Sequence, residues 1–356
     1  MLSLLLSVLF IGLLIAMFLA PLEALGWYAG WYGEGLSEPT HEEEPQYLEF
    51  GPSERHDHYV VFLDGIAKVG AENYEDVQSF LDKLSDARPA TVVLGDIMPY
   101  SPRNLALTEG RPLAPFWRYA LEMKLQGRRP ILAFSINMRN LFQVGVAADR
   151  RYGPIYGQGE AQVILNSLIK AGYEQGSGVP ITIIGYSGGA QIAVLAAPFL
   201  RRALDAPVSL ISLGGIVSSD RGLMELHHYY ELRGSKDRVA QLGNLIFPGK
   251  WPFFPHSYWN RIRRRGKPVR VQMGPMKHHQ AGSYLDDDSE IDGRNHQDIT
   301  VDTVRRLLER IDRDTQPREI ELHPVGERAP YADALPQEDV SRVNRANQQL
   351  HKQVRQ

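Results

Sequence analysis

Five residues concentrate the chemistry of this chain: Gly-Tyr-Ser-Gly-Gly at 185–189. The run before them, PITII, reads as a buried strand, and the run after, GGAQIAVLAAPFLRRAL, reads as a helix. Ser187 therefore falls on a sharp strand-to-helix turn with its hydroxyl above the sheet edge, and Gly185 and Gly189 let the backbone fold that tightly. The backbone N–H of Gly188 is placed to meet a negative charge developing on a carbonyl oxygen. The chemistry of such a serine is attack on a carbonyl carbon. The plainer alternative is a glycine-rich turn whose serine only caps the helix.

A serine nucleophile needs a base, and the base needs an acid to orient it. HYYELRGSKDRV offers Asp237 in a loop after an apolar strand, and VRVQMGPMKHHQAGSYL offers His278 and His279 after the last strand. The intervals from Ser187 to Asp237 and on to His278 each leave room for a helix and a strand. Asp237 has a rival in Asp220, which follows the strand VSLISLGGIV, and stands beside Lys236 and Arg238 as a solvated turn residue would. His278 is favoured over His279, because one of two neighbours points in and the other out. His296 reads as a cap or surface residue, and His256 sits in an aromatic loop. The second oxyanion donor is expected from the loop after the first strand, Asp64-Gly65-Ile66, through the backbone N–H of Ile66. A carboxylate at Asp64 would oppose an oxyanion by Coulomb repulsion, so it is expected to turn away and accept backbone N–H groups.

Other chemistries find little support. The chain has no cysteine, which excludes disulfides, thiolate metal sites and cysteine nucleophiles. No H-x-x-x-H, G-x-G-x-x-G or Walker pattern occurs, so no metal or cofactor is expected. A net charge of −3 gives no footprint for nucleic acid.

The elements that must hold these residues follow from the apolar runs. YVVFLDG (59–65), ATVVLGDI (90–97), PITIIG (180–185), APVSLISLGG (206–215), HYYEL (228–232) and PVRVQMG (268–274) read as strands, and NYEDVQSFLDKL (73–84) as an amphipathic helix. Short β-rich runs separated by helical patterns predict an α/β fold, a parallel sheet covered on both faces.

Strand, G-Y-S-G-G, helix, then Asp and His in that order resemble the α/β-hydrolase superfamily over about residues 59–312. The segment RNLFQVGVAADRRYGPIYGQG (139–159) also resembles a group of membrane-anchored bacterial α/β-hydrolase-like proteins without an assigned substrate. The resemblance implies a mostly parallel sheet of about six to eight strands; because 33–58 is polar, the first hairpin strands are expected to be missing. It implies a serine hydrolase of carboxylesterase, lipase or thioesterase type. Ser187, His278 and Asp237 would act through an acyl-enzyme on a small-molecule or lipid ester, with no cofactor. The other function class it admits is a non-catalytic hydrolase-fold module for binding or scaffolding at a membrane. Any lid is expected from 98–160, since 216–227 is too short for a cap.

Residues 1–20, MLSLLLSVLFIGLLIAMFLA, are long and apolar enough for one bilayer span, and Trp27, Tyr28, Trp31 and Tyr32 follow as headgroup-zone rings. A cleaved signal peptide is the alternative, although the charged leader of one is missing. Eight of the 42 acidic residues and none of the 39 basic ones lie in 1–54, which favours the following domain on the non-cytosolic side. The expected organisation is an anchor with interface aromatics (1–32), an acidic tether (33–58), the α/β domain (59–313) and a mostly disordered polar tail (314–356). Within 245–270, Phe247, Trp251, Phe253, Phe254, Tyr258 and Trp259 precede Arg261, Arg263, Arg264, Arg265, Lys267 and Arg270. Two readings stay open there: a surface for anionic membrane lipids, or core aromatics followed by a solvated helix face.

Overall fold

A computed structural model describes residues 56–110, 113–126 and 130–315, with isolated positions before residue 30. The expected anchor, most of the tether and the tail beyond 315 lie outside the described residues. Among the described residues no helix is long and apolar enough to cross a membrane. Two expected boundaries shift slightly: His58 already belongs to the first strand, and Asp314 and Thr315 still belong to the last helix.

The six expected strands all form. They are β1 (His58–Leu63), β2 (Thr91–Leu94), β3 (Ile181–Tyr186), β4 (Val208–Leu213), β5 (Tyr229–Arg233) and β6 (Val269–Gln272). They make one six-stranded sheet in the order β2-β1-β3-β4-β5-β6, with every pairing parallel. A separate antiparallel ribbon joins β7 (Glu290–Ile291) and β8 (Arg294–Asn295). Eight α-helices are described: α1 (Glu75–Ala87), α2 (Ala114–Leu125), α3 (Pro130–Ala148), α4 (Gly153–Lys170), α5 (Gly189–Leu204), α6 (Arg238–Ile246), α7 (Tyr258–Arg264) and α8 (His296–Thr315). The fold is α/β, as expected.

The strands read as continuous apolar runs because both faces of the sheet are covered. In β1, Tyr59, Val61 and Leu63 enter a core shared with α4, α5 and Trp259 of α7. Val60 and Phe62 point the other way, into a core closed by Val77, Phe80, Leu81 and Leu84 of α1 and by Val301, Val304, Leu308 and Ile311 of α8. Polar residues fasten that second layer at the amino-terminal ends of β1 and β3. His58, fully buried, pairs through Nε2 with Thr182 Oγ1 at 2.8 Å and through Nδ1 with Asp312 Oδ1 at 2.5 Å. Arg88 holds the other oxygen of Asp312 at 2.6 Å.

Two features of this layout prepare a site. The chain runs outward from β1 to β2, then crosses back to β3 and continues the other way, so strand order reverses between β1 and β3. In open parallel sheets the crevice beyond the carboxyl ends of the strands at such a reversal is where ligands bind. The long connection from β2 to β3 carries α2, α3 and α4, so the region expected to supply a lid is helical.

Candidate active site

Residue Ser187 follows β3 on a backbone with φ of +52°, a conformation that L residues other than Asn and Asp adopt rarely. The turn closes only because its neighbours are glycine. A Cβ on Gly189 would run into the carbonyl oxygen of Leu63, and one on Gly185 would meet the Ala190 backbone at 2.5 Å. The elbow thus packs directly on the end of β1, and its helix, α5, is buried from Gly189 to Ala197.

Three loops converge there. Ser187 Oγ and His278 Nε2 lie 2.8 Å apart. His278 Nδ1 lies 3.0 Å from both Oδ1 and Oδ2 of Asp237. An Nδ1–H donated to the carboxylate leaves Nε2 as the acceptor for the serine proton. Of the expected residues, the structure brings together Ser187, Asp237 and His278, all set beyond the carboxyl ends of β3, β5 and β6.

Asp237 is fully buried, so the solvated-turn reading is set aside for it. It is the N-cap of α6, accepting the Ala240 N–H on Oδ1 at 2.8 Å, and Oδ2 accepts the Tyr284 hydroxyl at 2.7 Å. Burial pushes the Asp237 carboxyl up, but the bond and charge of His278, the Ala240 amide and the Tyr284 hydroxyl outweigh it and hold it below its ordinary value. Burial and the Asp237 charge push the Tyr284 phenol upward, which keeps it a donor. Tyr284 in turn accepts the Gly234 N–H at 2.8 Å.

The histidine loop is held from several sides. The Tyr186 hydroxyl donates to the His278 carbonyl, and the two rings stack with centroids 5.7 Å apart. Lys277 N–H bonds Gly282 O at 2.7 Å and Ser283 N–H bonds Gln280 O at 2.9 Å. His296, expected as a cap or surface residue, is buried with Nδ1 2.9 Å from Ser283 O, so it anchors this loop instead. His279 and His256 are exposed; His279 meets the His278 ring edge-on, with centroids 6.1 Å apart, and has no hydrogen bond to Ser187 or Asp237. Asp220 caps a short 3₁₀ turn, accepting Gly222 N–H at 2.7 Å, and does not reach His278. No protein-family model and no curated protein matches the chain.

The loop after β1, expected to supply the second oxyanion donor, is held through its carbonyls. Tyr100 donates to Asp64 O at 2.8 Å, Asn140 donates to Ile66 O at 2.8 Å and Lys68 O at 2.7 Å, and Lys124 donates to Ala67 O at 2.8 Å. Gly65 O accepts Lys68 N–H at 3.2 Å, and in a trans peptide the next N–H, that of Ile66, points the opposite way. Ile66 and Gly188 adjoin: a Cβ on Gly188 would lie 3.1 Å from Ile66 Cγ2. Neither amide is hydrogen-bonded among the described residues. Asp64 is buried and its Oδ1 accepts the adjacent Gly65 N–H at 2.6 Å; it does not reach the start of the next helix, which it was expected to cap. Its burial pushes the carboxyl up, against the charge of Lys68.

Sequence reasoning passed over Tyr284, Tyr186, Tyr100 and Asn140. Tyr186 is the variable position of the G-x-S-x-G pattern; the other three look like ordinary core or helix residues. Elsewhere, Asp286, Asp287 and Asp288 bring carboxylate oxygens within 4.8 Å of one another, on the surface. Two surface hollows, one beside Arg201, His227 and Lys267 and one beside Lys83, Asp298 and Arg305, contain no member of the Ser187 cluster.

Proposed function

We propose that this protein is a serine hydrolase of the α/β-hydrolase type that cleaves an ester or thioester through an acyl-enzyme. The observation that carries the reading is the relay of Asp237, His278 and Ser187, at 3.0 and 2.8 Å, on an elbow with positive φ. A serine that only capped its helix would need none of that relay. The parallel sheet, the order Ser, Asp, His and the free amides of Ile66 and Gly188 agree with it.

In this mechanism His278 Nε2 takes the proton of Ser187 as Oγ bonds the carbonyl carbon. The carbonyl oxygen becomes an anion facing the Ile66 and Gly188 amides. His278 then returns the proton to the departing alcohol or thiol, leaving Ser187 acylated. Water, deprotonated by the same nitrogen, releases the acid. Asp237 stays ionised, holding the imidazole in the productive tautomer and balancing its transient charge.

Reaction with a fluorophosphonate probe, followed by hydrolysis of p-nitrophenyl esters of increasing chain length, tests the reading. Wild-type protein is expected to label once, at Ser187, and Ser187→Ala to lose labelling and hydrolysis while melting normally. Folded wild-type protein that neither labels nor hydrolyses any ester would overturn it in favour of a non-catalytic binding module.

A further inference from the structure

Helix α6 begins at the triad acid and is packed the wrong way round for a globular surface. It packs inward through small residues: Ala240 is buried, and Gly243 sits so close to the loop after β4 that a Cβ would be 3.1 Å from Ile216 Cγ2. Its large apolar residues face outward, with Leu245 66% and Ile246 54% exposed. The following turn continues the face. Phe253 is 84% exposed and Phe254 48%, while Trp251 is pinned at the rim by its Nε1–H bond to Leu245 O at 3.1 Å. Of the aromatics in this segment only Trp259 is buried in the core. The core-packing reading therefore holds for Trp259 and fails for Trp251, Phe253 and Phe254.

Charge decides what covers this face. From Arg238 to Leu285 the chain has nine Lys or Arg residues and no Asp or Glu, in a protein whose net charge is −3. Arg261, Arg263, Arg264 and Arg265, on α7 and its end, are exposed and have no carboxylate partner among the described residues. An acidic protein surface would answer the arginines but leave Phe253 and Leu245 in water. A hydrocarbon layer beneath anionic headgroups answers both.

We infer that the α6–α7 face is a docking surface for an anionic lipid membrane, with Leu245, Ile246 and Phe253 entering the interface and the arginines binding headgroups. Because α6 starts at Asp237, docking would bring lipid to the rim of the catalytic crevice. The inference stands on exposure and charge, independently of the proposed hydrolysis.

The absence of cysteine allows a direct test, since Phe253→Cys supplies a single thiol. The full chain would be labelled there with an environment-sensitive nitrobenzoxadiazole dye and reconstituted in vesicles of phosphatidylcholine, with or without phosphatidylserine. A second label at Asp86→Cys, exposed on α1, serves as reference. The expected result is a blue shift, and quenching by lipids with brominated chains, only at position 253 and only with phosphatidylserine. Arg263→Gln with Arg265→Gln should weaken that response by roughly tenfold or more, with an unchanged melting curve. Equal spectra in both vesicles, or an equal response at position 86, would overturn it. None of these readouts uses hydrolysis, so the docking and the chemistry can fail separately.

Discussion

At the scale of single residues, the site depends on how Asp237 is held. Gly214 has φ of +55°, and a Cβ there would come 2.7 Å from Asp237 Oδ2 and 2.8 Å from the Tyr284 ring. Gly214→Ala should push the carboxyl out of line and lower kcat/KM by about 10²-fold, the order expected for a misplacement near 1 Å. Tyr284→Phe removes one donor to an ionised carboxylate, a bond worth about 1.5–3 kcal/mol. Hydrolysis by that variant should fall about tenfold at neutral pH. Its carboxyl, no longer held as low, should take up a proton at higher pH than in the wild type, so its loss should deepen as pH falls. A pH–rate profile with a water-soluble ester checks both; a Tyr284→Phe profile superposable on the wild type would remove Tyr284 from the machinery.

At the scale of elements, the Asp312 carboxyl fastens α8 to His58 of β1 and to Arg88 at the end of α1. Burial pushes the Asp312 carboxyl up, but His58 and Arg88 outweigh it and leave it below its ordinary value. A carboxylate depressed in the folded state adds stability above its unfolded pKa of about 3.9 and loses it as pH falls further. The wild type should therefore lose melting temperature as pH falls below about 4. Asp312→Asn should be less stable at pH 7 yet flatter across that window, which calorimetry would read. This layer was legible in the sequence because its strands are runs such as YVVFL, apolar throughout, and because NYEDVQSFLDKL repeats its apolar residues at helical spacing. Helices α2 and α3 were not, since FWRYALEMKL and PILAFSINMRNLF carry apolar residues on more than one side. Ser187, Asp237 and His278 could be read because each follows a strand. The choice between Asp237 and Asp220 could not be read with the same force: both cap a helix after a strand, and only the position of β6 and its loop separates them. Asn140 escaped notice because its work, tying down the carbonyls of Ile66 and Lys68, depends on a fold partner some seventy residues away in sequence.

For the whole molecule, the amino-terminal apolar run and the α6–α7 face make distinguishable predictions about membranes. The full chain is expected to stay with membranes in alkaline carbonate. A chain begun at Gly51 should bind anionic vesicles only at low salt and come off as salt screens the arginines. Sedimentation of both forms checks this, and a shortened chain that resists carbonate would contradict the assignment of the anchor to residues 1–20. The order of elements has a further effect during synthesis. Every residue of the relay has been made by His278, yet α8, which covers Val60, Phe62, Ile184, Ile211 and Leu213, ends only at Thr315. A growing chain therefore carries an apolar sheet face covered only by α1 after Ser187, Asp237 and His278 exist, the kind of surface that aggregates or recruits chaperones. Release of a chain stopped at Asn295 should yield insoluble protein, while translation to Thr315 closes the face and completes the domain in the same step.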